Sequence, residues 1–170
     1  MPTSKVRLAL YQPDIPQNTG TLMRLAACLD IPLEIIAPAG FDLSDKALMR
    51  AGMDYTARAR LVRHRDFEAF EATLGGANRL ADDHDLNERA RLVLLTAAAA
   101  DPFHMFQFRI GDVLLAGRES SGVPDDIHER ADARVCIPMA PDCRSLNVAV
   151  ASAMVVSEAL RQLDGFPSRT

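Results

Sequence analysis

Short, mostly apolar runs recur along the chain at residues 6–10, 33–37, 59–62, 92–95, 113–116 and 133–137, and segments with helical spacing separate them. Runs this brief cannot span a membrane, and with Pro, Gly, Asn and Asp at their ends they read as strands. Strands alternating with helices predict an α/β fold, a parallel sheet flanked by helices on both faces. Ligands of such sheets bind beyond the carboxyl ends of the strands. The loops after Leu95, Ala116 and Ile137 are therefore expected to converge on one pocket.

Between the strands, a loop from Asp14 to Gly20 is expected to lead into a helix at 21–29, where Leu22, Leu25, Ala26 and Leu29 share one stripe and Arg24 falls off it. A short basic helix at 45–51 ends at Gly52, and a helix at 66–74 carries Phe67 and Phe70. Pro124 suits the first position of a helix at 125–130. Residues 148–163 run well past a dozen positions without Gly or Pro, and from Val148 to Val156 nearly every side chain is apolar or small. That helix is expected to be buried on almost all faces, its N-terminus seating a ligand after the loop stiffened by Pro138 and Pro141. Residues 75–89 hold too little apolar material for a core and are read as an exposed excursion. Asp82, Asp83, His84 and Asp85 are consecutive, so their side chains diverge; a solvated acidic loop is favoured and no metal is expected.

At 170 residues the chain is read as one domain, 1–170, with a full core. Lys5 and Arg7 precede only a few apolar residues, which predicts no secretory leader, no membrane partner and a cytoplasmic protein. Cys28, Cys136 and Cys143 are odd in number and lack metal-type spacing, so they read as reduced thiols, with Cys28 and Cys136 expected to be buried. The net charge of −4 does not announce a nucleic-acid binder. Locally, however, Lys46, Arg50, Arg58, Arg60, Arg63 and Arg65 face only Asp54, and this island is either a solvated face or a phosphate-contacting surface.

Phosphate-cradling, nucleophile-elbow and zinc-protease motifs are all missing from the sequence. What recurs is backbone-rich loop chemistry, with Gly117 and Gly122 permitting close approach and Ser145 and Asn147 supplying short polar arms. Such loops suit a flat, neutral, amide-reading group such as an adenine ring, which suggests a nucleoside-bearing cofactor with Arg24 turned to a polyanionic substrate.

Three stretches sharpen this reading: Asn18-Thr19-Gly20 with Arg24; Gly117-Arg118-Glu119-Ser120-Ser121-Gly122-Val123-Pro124; and Ile137-Pro138-Met139 through Arg144-Ser145-Leu146-Asn147. In this order they resemble the motifs of SPOUT ribose 2′-O-methyltransferases. Tyr11-Gln12-Pro13, Arg50-Ala51-Gly52-Met53-Asp54-Tyr55 and Glu158-Ala159-Leu160-Arg161-Gln162 extend the resemblance, over nearly the whole length, to the short bacterial tRNA wobble-nucleotide 2′-O-methyltransferases. Thr21, Ala97, Ala98, Ala116 and Ser157 depart from the common pattern.

The resemblance implies a single SPOUT domain with a deep C-terminal trefoil knot over about residues 92–165, a homodimer, and S-adenosylmethionine held by Leu95, Thr96, Gly117, Ile137, Met139, Ser145 and Leu146. It further implies methylation of the wobble cytidine or uridine ribose in the tRNA anticodon stem-loop, with Arg24, Asn18, Glu119, Ser145 and Asn147 at the reaction centre and Arg24, Lys46, Arg50 and Arg58 on the RNA. An arginine is a poor proton acceptor, so holding phosphate and stabilising a developing alkoxide suits Arg24 better than acting as base. Glu119 and Asn147 are expected chiefly to tie two loops together. Two alternatives stay open: another RNA ribose as target, and a catalytically idle RNA-binding homologue.

Overall fold

The computed structural model describes residues 4–44, 46–47, 59–75 and 89–168. Its strands are β1 (Arg7–Tyr11), β2 (Pro32–Ile36), β3 (Arg60–His64), β4 (Leu92–Leu95), β5 (Asp101–Pro102), β6 (Val113–Ala116) and β7 (Ala133–Cys136). They form one sheet in the order β3-β2-β1-β6-β4-β7-β5, every pair parallel. The helices among the described residues are α1 (Pro16–Leu29), α2 (Phe67–Glu71), α3 (Asp125–Arg130) and α4 (Val148–Gln162).

Strand side chains alternate between the two faces, and the apolar content of the strands fills both. Leu8, Leu10, Leu33, Ile35, Val93, Leu114 and Ala116 pack with Leu22, Met23 and Ala26 of α1 and with Val155, Val156 and Leu160 of α4. On the opposite face Ala9, Tyr11, Ile36, Leu92, Leu94, Val113 and Leu115 pack with Phe67 and Phe70 of α2 and Ile127 of α3. The expected α/β sheet covered on both faces is therefore present, and β5 is a further short edge strand beside β7 that periodicity does not announce.

Several boundaries move. α1 begins at Pro16, well before Thr21, because proline at the first helical position has the right φ and lacks an amide that would go unpaired there anyway. Asn18 and Gly20 are thus helical, where a loop was expected. Pro124 is the cap residue preceding α3 rather than its first position. Asp66 caps α2, its carboxylate accepting from the Ala69 amide at 2.7 Å.

α4 is not buried all round. Val150 and Met154 are 51% and 36% exposed, while Ala149, Ser152, Val155, Val156 and Ala159 face the sheet and α1. Cys28 is exposed and Cys136 half-buried, because Cys28 sits on the outer side of α1. Of the basic 45–51 segment only Lys46 and Ala47 are described; Arg50, Arg58, the 50–55 motif and all of the 75–89 excursion except its two end residues lie outside the described residues.

Charge inside the sheet is paired. Glu34, 2% exposed, accepts from Arg7 Nη1 at 2.7 Å and lies 2.7 Å from His64 Nε2, which packs edge-on against Phe70. An ionised carboxylate can only accept, so His64 Nε2 carries the proton of that bond. At the C-terminal end of α4, Gln162 accepts the Phe108 amide at 3.0 Å and donates to the Phe106 carbonyl at 2.9 Å, docking the helix to the 106–108 loop. Glu158 joins this clasp, and hydrogen bonds from Arg161 and then Gln162 lower its carboxyl to about 2.

Removing the buried anion should be costly. Glu34→Ala is expected to reduce unfolding free energy by about 3 kcal/mol, since Arg7 and His64 would be left without their shared partner, and Glu34→Gln by less; urea unfolding measures both. For Glu158, the native value of about 2 lies below the unfolded value, so between roughly pH 4 and pH 2 the unfolded chain binds more protons. Its contribution is complete above that window and is lost as pH falls through it. Glu158→Gln should flatten the acid limb of the stability curve there, measured by thermal unfolding across pH.

Candidate functional site

Strand order decides what meets what. β1 lies beside β6, β6 beside β4, and β4 beside β7, so the segments leaving their carboxyl ends are neighbours in space although distant in sequence. They enclose a cavity of about 570 Å³, within the range that holds a nucleoside-sized ligand. Leu95, Thr96, Gly117, Ile137, Met139, Ser145 and Leu146 all line it, as do Asn18, Glu119 and Asn147. The convergence expected from the strand pattern is present.

The loop after β6 is a tight hairpin. Arg118 and Gly122 exchange backbone hydrogen bonds of 2.9 and 2.8 Å, and Gly122 takes a φ of 68°. A Cβ on Gly117 would stand 2.9 Å from the Gly122 backbone, so position 117 has no room for a side chain. These glycines bring bare backbone to the cavity wall, which suits recognition of a flat group by main-chain amides and carbonyls.

A chain of polar contacts closes one side. Glu119 accepts the Asp14 backbone amide at 2.9 Å through Oε2 and the Asn18 side-chain amide at 3.2 Å through Oε1. Asn147 Nδ2 donates to Asn18 Oδ1 at 2.9 Å. The other end of the Asn147 amide caps α4, its Oδ1 accepting from Ala149 at 2.8 Å and Val150 at 3.3 Å. Asn18 thus links the loop after β6 to the helix that follows β7, so Glu119 and Asn147 are joined through Asn18 of α1 rather than to each other.

Sequence reasoning missed a neighbouring cluster. Asp14 Oδ2 accepts from Arg118 Nε at 3.1 Å and from the Ser120 hydroxyl. Hydrogen bonding with Glu119 and then Ser120, helped by the Arg118 guanidinium, holds the Asp14 carboxyl down at about 2. Only the adjacency of β1 and β6 could have flagged this pairing, because Arg118 lies in the 117–124 motif and Asp14 in a loop 104 residues away that no motif includes. Also unforeseen are His128 and Ser152 in the cavity wall; Ser152 Oγ is buried there with no hydrogen-bond partner among the described residues.

Arg24 stands elsewhere. It is exposed on α1 and is not among the residues that line the cavity. Six residues along a helix from Asn18 place it about 120° round the axis and about 9 Å further on, which explains the separation. Lys46 is exposed and does not line the cavity either.

Residues 5–157 match the SpoU rRNA Methylase family. The chain is 54% identical over 156 residues to a protein of Beijerinckia indica named tRNA (cytidine(34)-2′-O)-methyltransferase, an alignment covering 92% of this chain and 91% of that one. Its fold is similar, with a TM-score of 0.78 and 40% identity over 95% of this chain and 92% of the other, to a structure described as giving insights into the 2-OH methylation of C/U34 on tRNA. An AdoMet-bound rRNA methyltransferase from Sinorhizobium meliloti shares the fold at a TM-score of 0.74 and 24% identity, over 95% of this chain and 58% of that one.

The cap and the cross-link of Asn147 are separable. Asn147→Ala is expected to cost about 1 kcal/mol of stability through the lost helix cap, whereas Asn147→Asp keeps the cap oxygen and removes only the donor to Asn18. Urea unfolding should therefore rank Asn147→Asp near the parent protein and Asn147→Ala below it.

Proposed function

This chain belongs to the SpoU rRNA Methylase family, and from that premise we propose that it is an S-adenosylmethionine-dependent methyltransferase of the ribose 2′-hydroxyl at the wobble cytidine or uridine of the tRNA anticodon loop. The observation that carries the reading is the single cavity in which Leu95, Thr96, Gly117, Ile137, Met139, Ser145 and Leu146 come together beside the linked Asn18, Glu119 and Asn147.

The residues present fit the cofactor. Leu95, Ile137, Met139 and Leu146 offer apolar walls, the Gly117 loop offers bare backbone, and the orphaned Ser152 hydroxyl offers a buried polar partner. When bound, S-adenosylmethionine supplies a methyl group already activated by its sulfonium. The protein's part is positioning and charge. Asn18, fixed at both ends of its amide by Glu119 and Asn147, orients the ribose, and Ser145 lies within the same wall. Arg24, exposed on α1 outside this cavity, holds an RNA phosphate next to the target ribose. Lys46, Arg50 and Arg58 contribute phosphate contacts further along the RNA.

The same family membership supports a single knotted domain, with the trefoil over about residues 92–165. It also supports a homodimer in the cytoplasm. The exposed apolar side chains Val150 and Met154 on α4 favour an interface on that helix. No described helix is long and apolar enough to cross a membrane.

Calorimetry with S-adenosylmethionine, transfer of labelled methyl to bulk tRNA, and mass spectrometry of the digested product test the proposal. Cofactor binding and a methyl on the wobble ribose are expected. A methyl on another ribose would overturn the substrate, and failure to bind cofactor would leave an idle homologue. Arg24→Ala is expected to lower transfer by about a hundredfold while cofactor affinity stays within about twofold; full transfer by this variant would overturn the role given to Arg24.

A further inference from the structure

Among the described residues that line the cavity, Arg118 is the only arginine or lysine. Its neighbours are acids, Glu119 in the same wall and Asp14 bonded behind it, so an anionic substrate approaching Asn18 meets one permanent positive charge there. The Arg118 side chain is one-third exposed, and its bonding is asymmetric. Nε donates to Asp14 Oδ2 at 3.1 Å, while neither terminal nitrogen makes a hydrogen bond among the described residues.

Stability does not account for this arrangement. An ion pair as exposed as Asp14–Arg118 contributes little, on the order of 0–1 kcal/mol. Asp14 is nonetheless elaborately held: Ser120 donates to the same oxygen, its own amide is bound by Glu119, and Gly40 is packed so closely that a Cβ there would lie 2.9 Å from the Asp14 backbone. The carboxylate also stays ionised far below neutral pH, with its pKa lowered to about 2, so it presents a fixed anchor at working pH. Anchoring a guanidinium through Nε sets its plane and leaves the two terminal nitrogens, the fork that grips a phosphate in bidentate fashion, free to act.

We infer that Arg118 is a substrate contact that grips an RNA phosphodiester at the cavity rim, and that Asp14 is the positioning residue that aims it. The inference rests on the reading of this site as one for RNA, and it adds a phosphate contact inside the cavity to those placed on Arg24 and the basic 46–65 segment. Asp14 offsets part of the charge of Arg118 but removes its rotational freedom, which favours geometry over long-range attraction.

The test measures tRNA affinity of the intact protein as a function of salt, with S-adenosylmethionine affinity measured in parallel. Arg118→Gln should weaken tRNA binding about tenfold, lower the salt slope by about 0.7–0.9 as one phosphate contact is lost, and leave cofactor affinity within about twofold. Arg118→Lys keeps the charge without the fork, so the slope should persist while affinity still falls. Asp14→Ala should likewise keep the slope and weaken tRNA binding, and Asp14→Asn, which retains an acceptor for Nε, should restore most of it. An unchanged slope in Arg118→Gln, or a loss of cofactor affinity as large as the loss for tRNA, overturns the inference. If the parent protein methylates tRNA and the Arg118→Gln slope is unchanged, this inference alone fails; if the parent protein binds no tRNA, the substrate reading fails with it.

Discussion

The carboxylate of Glu119 holds two donors from the other end of the chain, the Asp14 amide and the Asn18 side chain, and the site depends on that grip. It is possible only because β1 and β6 are neighbours in the sheet, so their carboxyl ends release the two segments side by side. Asn147 extends the link to the N-terminus of α4, which makes one polar chain out of three stretches of sequence. Each member is satisfied mainly by another member. A half-made version would leave polar groups at a cavity wall without partners, so the arrangement favours being complete or absent.

Around that chain the fold separates rigidity from access. The strands pack apolar side chains on both faces, and the one buried carboxylate among them, Glu34, is met by Arg7 and His64. At the carboxyl ends the same strands hand over to glycine- and proline-bearing loops that expose backbone to the cavity. Glu158, Arg161 and Gln162 fasten the far end of α4, which leaves its N-terminal turn, capped by Asn147, as the part that faces the cavity. Val150 and Met154 leave one side of this helix apolar and exposed.

The strands were legible almost to the residue: 92–95 and 113–116 are β4 and β6 without adjustment, because four apolar residues between polar or glycine ends leave little choice of boundary. Helix starts were less so. Pro16 and Gly20 look like loop residues by local propensity, yet α1 runs through both, since packing of Leu22, Met23 and Ala26 on the sheet outweighs about 1 kcal/mol for a helical glycine. Cys28 was expected inside from its type and lies outside from its position on α1, between Ala26 and Leu29 but off the stripe that faces the sheet. The cavity residues named from the motifs come together, whereas Arg24 does not join them, because six residues of helix turn it to another side.

By itself the sequence determined what is local and periodic: the α/β alternation, the strand positions and the loops between them, and the glycines at 117 and 122 that permit close approach. Those follow from side-chain period and backbone sterics, which act over a few residues. The tertiary structure alone decided the strand order, and with it the meeting of Asp14 with Arg118 and Ser120. The physical reason is that parallel strands are joined by crossovers, so which carboxyl ends lie side by side is set by how the two faces of the sheet are buried, and no short-range pattern in the chain records it.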